Sequence, residues 1–131
     1  MMNKSLLIGR LTAAPELRKT ATEKSVIRST LAVNRQFKTA EGERGVDFLS
    51  IVIWGKSAEL FVAYAQKGSL ISIEGELRSR RYDDKSGVTH YVTEVLCHQF
   101  NLLESKAAVA LRENNVTSLE DVILASDDLP F

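Results

Sequence analysis

The sequence predicts an all-β domain with one helix, followed by a short acidic tail. Three observations lead there. Stretches rich in β-branched and aromatic residues fill most of residues 1–104. A single segment of helical periodicity interrupts them at residues 57–66. Beyond residue 104 the β-rich composition gives way to a segment of helix-favouring and acidic residues.

Taken in order, residues 6–13 form an apolar strand with Gly9 inside it, which predicts a bulge or a close backbone approach. Residues 26–37 are β-branched and form a second strand, and 39–45, with Gly42 and Gly45 among charges, form an exposed loop. Residues 48–54 are a strong strand. In the helix that follows, Ser57 is placed to cap the start and Glu59 to favour the first turn. Leu60, Phe61, Tyr64 and Ala65 share one face, and Lys67-Gly68 supplies a basic last turn and a left-handed stop. Residues 70–82 and 89–103 are long strands, and Asp83-Asp84-Lys85-Ser86-Gly87 between them has hairpin chemistry. Three strands, a helix and a two-strand hairpin is the order of an OB-fold, a five-stranded Greek-key barrel. Such barrels bind oligonucleotides or oligosaccharides, so the order narrows function without settling it. The domain therefore spans 1–104. Residues 105–125 are a short, mostly flexible linker that favours helix over 107–113, and 126–131 are an exposed acidic tip.

Composition excludes several classes. At 131 residues the chain fits one domain and an appendage. No run approaches the ~20 apolar residues of a membrane helix, so no membrane partner is expected. The first ten residues hold too short an apolar stretch for a signal peptide, which predicts a cytoplasmic protein. The single cysteine, Cys97, agrees with a reducing compartment. The net charge of zero hides a division: residues 1–106 carry +4 and residues 107–131 carry −4. A basic body with an acidic tail fits a nucleic-acid binder, and it fits equally a solvated helix with a frayed end.

Strand parity gives the first view of a site. In 48–54 the odd positions Leu49, Ile51 and Ile53 are uniformly apolar and face the core, which leaves Phe48 and Trp54 on the other face. In 70–82 the inward set is Ile71, Ile73, Gly75 and Leu77, and the outward set ends in Arg78, Arg80 and Tyr82. Arg35, Phe37 and Lys38 add a basic-aromatic group at the end of the second strand. Aromatic rings stack on exposed bases and cations follow phosphates, a combination that selects single strands, because duplex DNA hides its base faces. The same aromatics could instead pack beneath the helix or a subunit interface. RNA is a further possibility, since stacking tolerates either sugar.

Other signals carry little chemistry. Gly55-Lys56-Ser57 looks like the end of a phosphate loop, but Ser50 stands where the first glycine is needed. Cys97, His98 and His90 lack the paired spacing of a metal site. The pairs Asp83-Asp84 and Asp127-Asp128 lie where burial cannot tune an acid and a base. No nucleophile motif is present, so neither enzymatic activity nor a cofactor is expected.

At this point a family emerges. Asn3-Lys4, Leu7-Ile8-Gly9-Arg10-Leu11, Pro15-Glu16-Leu17-Arg18 and Thr30-Leu31-Ala32-Val33 are its first markers. Val52-Ile53-Trp54-Gly55-Lys56, Lys67-Gly68-Ser69, Glu74-Gly75-Glu76-Leu77-Arg78-Ser79-Arg80 and the terminal Asp127-Asp128-Leu129-Pro130-Phe131 complete the set. The chain resembles the bacterial single-stranded DNA-binding proteins of the homotetrameric OB-fold type, over residues 2–104 and the last six. The resemblance implies base stacking by Phe37, Phe48, Trp54 and Tyr82. Well-known members hold tryptophan at three of these positions, where this chain has Phe37, Phe48 and Tyr82, so each base meets less stacking area. It also implies phosphate contacts by Lys4, Arg18, Lys56, Lys67, Arg78 and Arg80, to which the strand reading adds Arg10 and Arg35. The tip, Asp127, Asp128, Leu129, Pro130 and Phe131, resembles a docking peptide for DNA replication, recombination and repair proteins. Many members carry a longer Gly-, Gln- and Pro-rich linker. The short form resembles the second paralogue of naturally transformable Gram-positive bacteria, which implies protection of DNA strands taken up in competence.

Overall fold

The computed structural model describes residues 1–104 and Leu111, so the expectations for the linker and the tip lie outside the described residues. The elements run β1 (Ser5–Leu11), β2 (Arg18–Lys19), β3 (Ser25–Lys38), β4 (Arg44–Trp54), α1 (Gly55–Tyr64), β5 (Leu70–Asp83) and β6 (Thr89–Leu102). The strands hydrogen-bond in the order β1-β5-β6-β4-β3-β2, and β1 also pairs with β3. That extra pairing, Arg10 with Ala32 and Leu11 with Leu31, closes β1, β3, β4, β6 and β5 into a five-stranded ring. The ring is the OB-fold barrel that the order of elements predicts. The two-residue β2, which the sequence analysis does not anticipate, adds an edge to β3. One short pairing is parallel, Ile51–Val52 of β4 against Val95–Leu96 of β6.

Apolar side chains on the inner faces fill the barrel. Ile27, Leu31, Ile51, Ile53, Ile71, Ile73 and Val95 are buried together with Ala58, Phe61 and Ala65 from the helix region. Phe61 stands edge-on to Phe100 with ring centroids 5.1 Å apart. Gly9 is a close backbone approach as predicted: a Cβ there would strike the carbonyl oxygen of Ala32. Gly75 has the same role against the carbonyl of Leu96, next to a bulge that inserts His98 into β6. Asn3 exchanges two hydrogen bonds with the backbone of Leu77, at 2.8 and 2.9 Å, and so ties the N-terminus to β5.

The helix differs from its prediction. It begins at Gly55, so Ser57 lies inside it, and Trp54 occupies the cap position without a side-chain cap bond. It ends at Tyr64, before Lys67, and neither an acidic residue in the first turn nor a basic one in the last supports it. Glu59 instead accepts a hydrogen bond from the buried Ser25 hydroxyl at 3.1 Å. The buried face is Ala58, Phe61 and Ala65, while Leu60 and Tyr64 are exposed. Gly68 does take the left-handed conformation (φ 84°), in the turn that leads to β5.

Leu77 is also exposed, contrary to its parity. Leu77 pairs with the buried Val95 but stands at the edge of the core, and β5 is exposed from this residue to its end. The predicted turn is present: Asp84 and Val88 close it, and the Asp84 carboxylate accepts from the amides of Ser86 and Val88.

Candidate nucleic-acid interface

Registers place the outward side chains in rows, because directly paired residues share a face. One row is Arg18 on β2, Val26 on β3 and Trp54 on β4. Another is Arg28, Val52, Leu96 and Glu76 on β3, β4, β6 and β5. Ala32 pairs with Phe48, Arg78 with Glu94, Arg80 with Val92 and Tyr82 with His90. Phe48, Trp54, Arg78, Arg80 and Tyr82 therefore lie on one continuous outer face, as the parity argument expects. The aromatics on it are open: Phe48 is 67% exposed, Tyr82 46% and Trp54 40%.

Trp54 lines a concavity of about 500 Å³ with Thr20, Thr22 and Lys24. These three residues belong to a turn, closed between Thr20 and Lys24, in which Glu23 has φ 62°. Sequence reasoning missed them because only the folded turn brings hydroxyls and an ammonium against the indole. Tyr82 is supported differently. Its ring stacks on His90 at 5.1 Å, 19° from parallel, and the Arg80 guanidinium lies 5.6 Å from its centroid. His90 Nε2 is 2.7 Å from Asp84 Oδ2, a contact that holds the Asp84 carboxyl below its usual range.

Phe37 is 82% exposed on the β3–β4 hairpin, where the register shifts between Asn34 and Lys38, so simple alternation does not decide its face. Arg35 sits apart from Phe48. It grips Asp47 through Nη2 at 2.8 Å and Nε at 3.1 Å, and Asp47, adjacent to Phe48 in the strand, points to the opposite face. Hydrogen bonding from Arg35 lowers the Asp47 pKa. Arg10 is likewise engaged: Nη1 donates to Glu104 at 2.8 Å and to the Gly68 carbonyl at 3.0 Å, clasping β1 to the end of the domain.

The remaining cations differ in how they are engaged. Arg18 contacts Glu16 at 3.4 Å in a fully exposed pair. Lys56 is exposed two residues after Trp54, and Lys67 is exposed in the turn between α1 and β5. Neither lysine makes an ion pair among the described residues. Lys4 meets Glu74 at 2.8 Å and Arg78 meets Glu76 at 3.0 Å, and each contact lowers the acid's pKa. Such exposed pairs contribute little to stability.

No group of three or more His, Cys, Asp or Glu among the described residues could hold an ion. Burial pushes the Cys97 thiol up to about 11, so it stays protonated. No helix among the described residues is long and apolar enough to cross a membrane.

Residues 2–103 match the sequence model of the Single-strand binding protein family. The chain belongs to that family. It is 64% identical, over the full length of both chains, to single-stranded DNA-binding protein 1 of Streptococcus pyogenes serotype M6. It is 58% identical, again over both full lengths, to single-stranded DNA-binding protein 2 of Streptococcus agalactiae serotype V. Against the single-stranded DNA-binding protein of Lactiplantibacillus plantarum the identity is 50%, over 82% of this chain but only 54% of that one. The family thus contains chains of this length and longer ones.

Proposed function

We propose that this chain binds and protects single-stranded DNA without sequence preference, and that it is not an enzyme. The observation that carries the reading is the continuous outer face on which Phe48, Trp54 and Tyr82 stand open beside Arg78 and Arg80. Open rings stack on bases at about 1–3 kcal/mol each, and the cations follow the backbone. Phe37 joins the aromatic set from its hairpin. Lys4, Arg18, Lys56, Lys67, Arg78 and Arg80 contact phosphates, whereas Arg10 and Arg35 serve chiefly the fold through their carboxylate partners.

The assembly is a homotetramer. Along Ser5–Gly9, β1 pairs only on its β5 side among the described residues, and Leu6 and Ile8 stand exposed on its outer face. An unpaired strand edge with apolar neighbours is stabilised by a second copy. The domain at 1–104 is tethered by 105–125 to the tip at 126–131. In the tip Phe131 is an apolar anchor and Asp127 and Asp128 attract basic rims, which suits recruitment of replication, recombination and repair proteins at the nucleoid in the cytoplasm. The short tether favours use in natural transformation. Deleting the gene should lower transformation and spare chromosome replication; the opposite pattern would assign this chain to replication.

The lone tryptophan reports binding directly. Oligo-dT should quench Trp54 emission saturably, a duplex of equal length should not, and binding should weaken as salt rises. An oligo-U arm measures RNA binding. No response in emission and none in a mobility assay would replace this reading with a protein-interaction module whose aromatics form an interface.

A further inference from the structure

The outer face holds a carboxylate that is nearly buried. Glu94 of β6 has a side chain only 10% exposed. Its two oxygens are taken by different arginines. Arg28 of β3 reaches across β4 to place Nη1 2.7 Å from Oε2, and Arg80 of β5 reaches from the other side to place Nε 3.1 Å from Oε1. The acid lies beneath and the guanidinium groups lie above, about half exposed at 49% and 42%. The group sits over the seam where β4 and β6 pair in parallel. On one side of that seam stand Phe48 and Trp54, on the other Tyr82.

We infer that Arg28, Glu94 and Arg80 form a preset phosphate seat between the two aromatic groups, in which Arg28 is a DNA contact and Glu94 a positioning residue. This rests on the single-strand reading above. A strand that stacks on both aromatic groups must carry its backbone over the seam, where these two guanidinium groups face it together with Arg78, which pairs across from Glu94 but is turned to Glu76. Each keeps N–H donors free, because a guanidinium has five and the carboxylate engages few of them. Arginine side chains carry about 2 kcal/mol of rotamer entropy, and a buried anchor removes that cost before DNA arrives. A carboxylate buried under both cations repels an approaching phosphate less than a solvated one would, since the arginines lie between.

The sign of one substitution tests this. Glu94→Gln keeps the shape and removes a negative charge, so charge counting alone predicts tighter DNA binding. The seat predicts weaker binding, by about 5-fold or more, because two arms lose their anchor. Trp54 quenching by oligo-dT, measured on the full chain over a salt series, reads both affinity and slope. Arg28→Ala should reduce the magnitude of the salt slope by about 0.7, the contribution of one phosphate on a single strand. Arg28→Lys, which keeps the charge and loses the fork, should recover the slope but not the full affinity. Arg28 is half exposed, so these two variants carry the test even where Glu94→Gln fails to fold. Tighter binding by Glu94→Gln, or a changed melting temperature with unchanged affinity and slope, would overturn the positioning role. An unchanged slope in Arg28→Ala would overturn the contact. Failure of the unaltered chain to bind oligo-dT would remove the single-strand reading itself, and the seat with it.

Discussion

Replacing Phe48 and Trp54 together with alanine should weaken oligo-dT binding by about 2–6 kcal/mol, the sum of two base stacks at about 1–3 kcal/mol each. The effects should add. The residues lie six positions apart on β4, roughly 20 Å along an extended strand, too far to share one base. Both are exposed, so the melting temperature should change little. The salt slope should also stay near its original value, because no phosphate partner is lost. Anisotropy of a labelled oligonucleotide measures all of this without needing the tryptophan. An affinity within two-fold of the parent would show that these rings do not stack on DNA, and a collapse of stability would show that they are interface core.

The second large effect concerns the fold. Phe61→Ala should destabilise the protein by about 3–5 kcal/mol. Phe61 is wholly buried in the core and meets Phe100 edge-on, so truncation leaves a cavity and removes an aromatic pair. Leu60→Ala, at the neighbouring exposed position, should change stability by no more than about 0.5 kcal/mol. Denaturant unfolding at one fixed protein concentration compares the two, since an oligomer's stability depends on concentration. Equal losses would mean that Leu60 is covered in the assembly, and a small loss at Phe61 would mean that the core repacks around it.

The two predictions differ in how they became visible. Phe48 and Trp54 were legible because strict alternation with Leu49, Ile51 and Ile53 leaves a strand no other way to bury its apolar set. The motifs around them named the family from sequence alone. The helix face was less legible. Its apolar residues are crowded enough to satisfy two adjacent faces, and only docking on β3 chose Ala58 and Phe61 over Leu60 and Tyr64.

Sequence by itself determined the order of the five long strands and the helix, the inner residues Ile51, Ile53, Ile71 and Ile73, an irregular strand at Gly9, the hairpin at Asp84 and the outward parity of Phe48 and Trp54. All of these depend on neighbours in the chain or on period-two patterning, which are local. Tertiary structure decided what depends on register between distant strands. The bulge at His98 shifts β6 by one residue, so Phe100 turns to the core where unbroken alternation from Val95 and Cys97 would turn Gln99 inward. At the edge of the core Leu77 keeps its parity opposite the buried Val95 yet stands half exposed. Arg10 and Arg35, unremarkable from other cations in the sequence, are claimed by Glu104 and Asp47. Arg28, which no motif marks, reaches Glu94 only because β3, β4 and β6 lie side by side. A charge's partner is set by three-dimensional neighbours 12 to 94 positions away in these cases, and no local pattern encodes that separation.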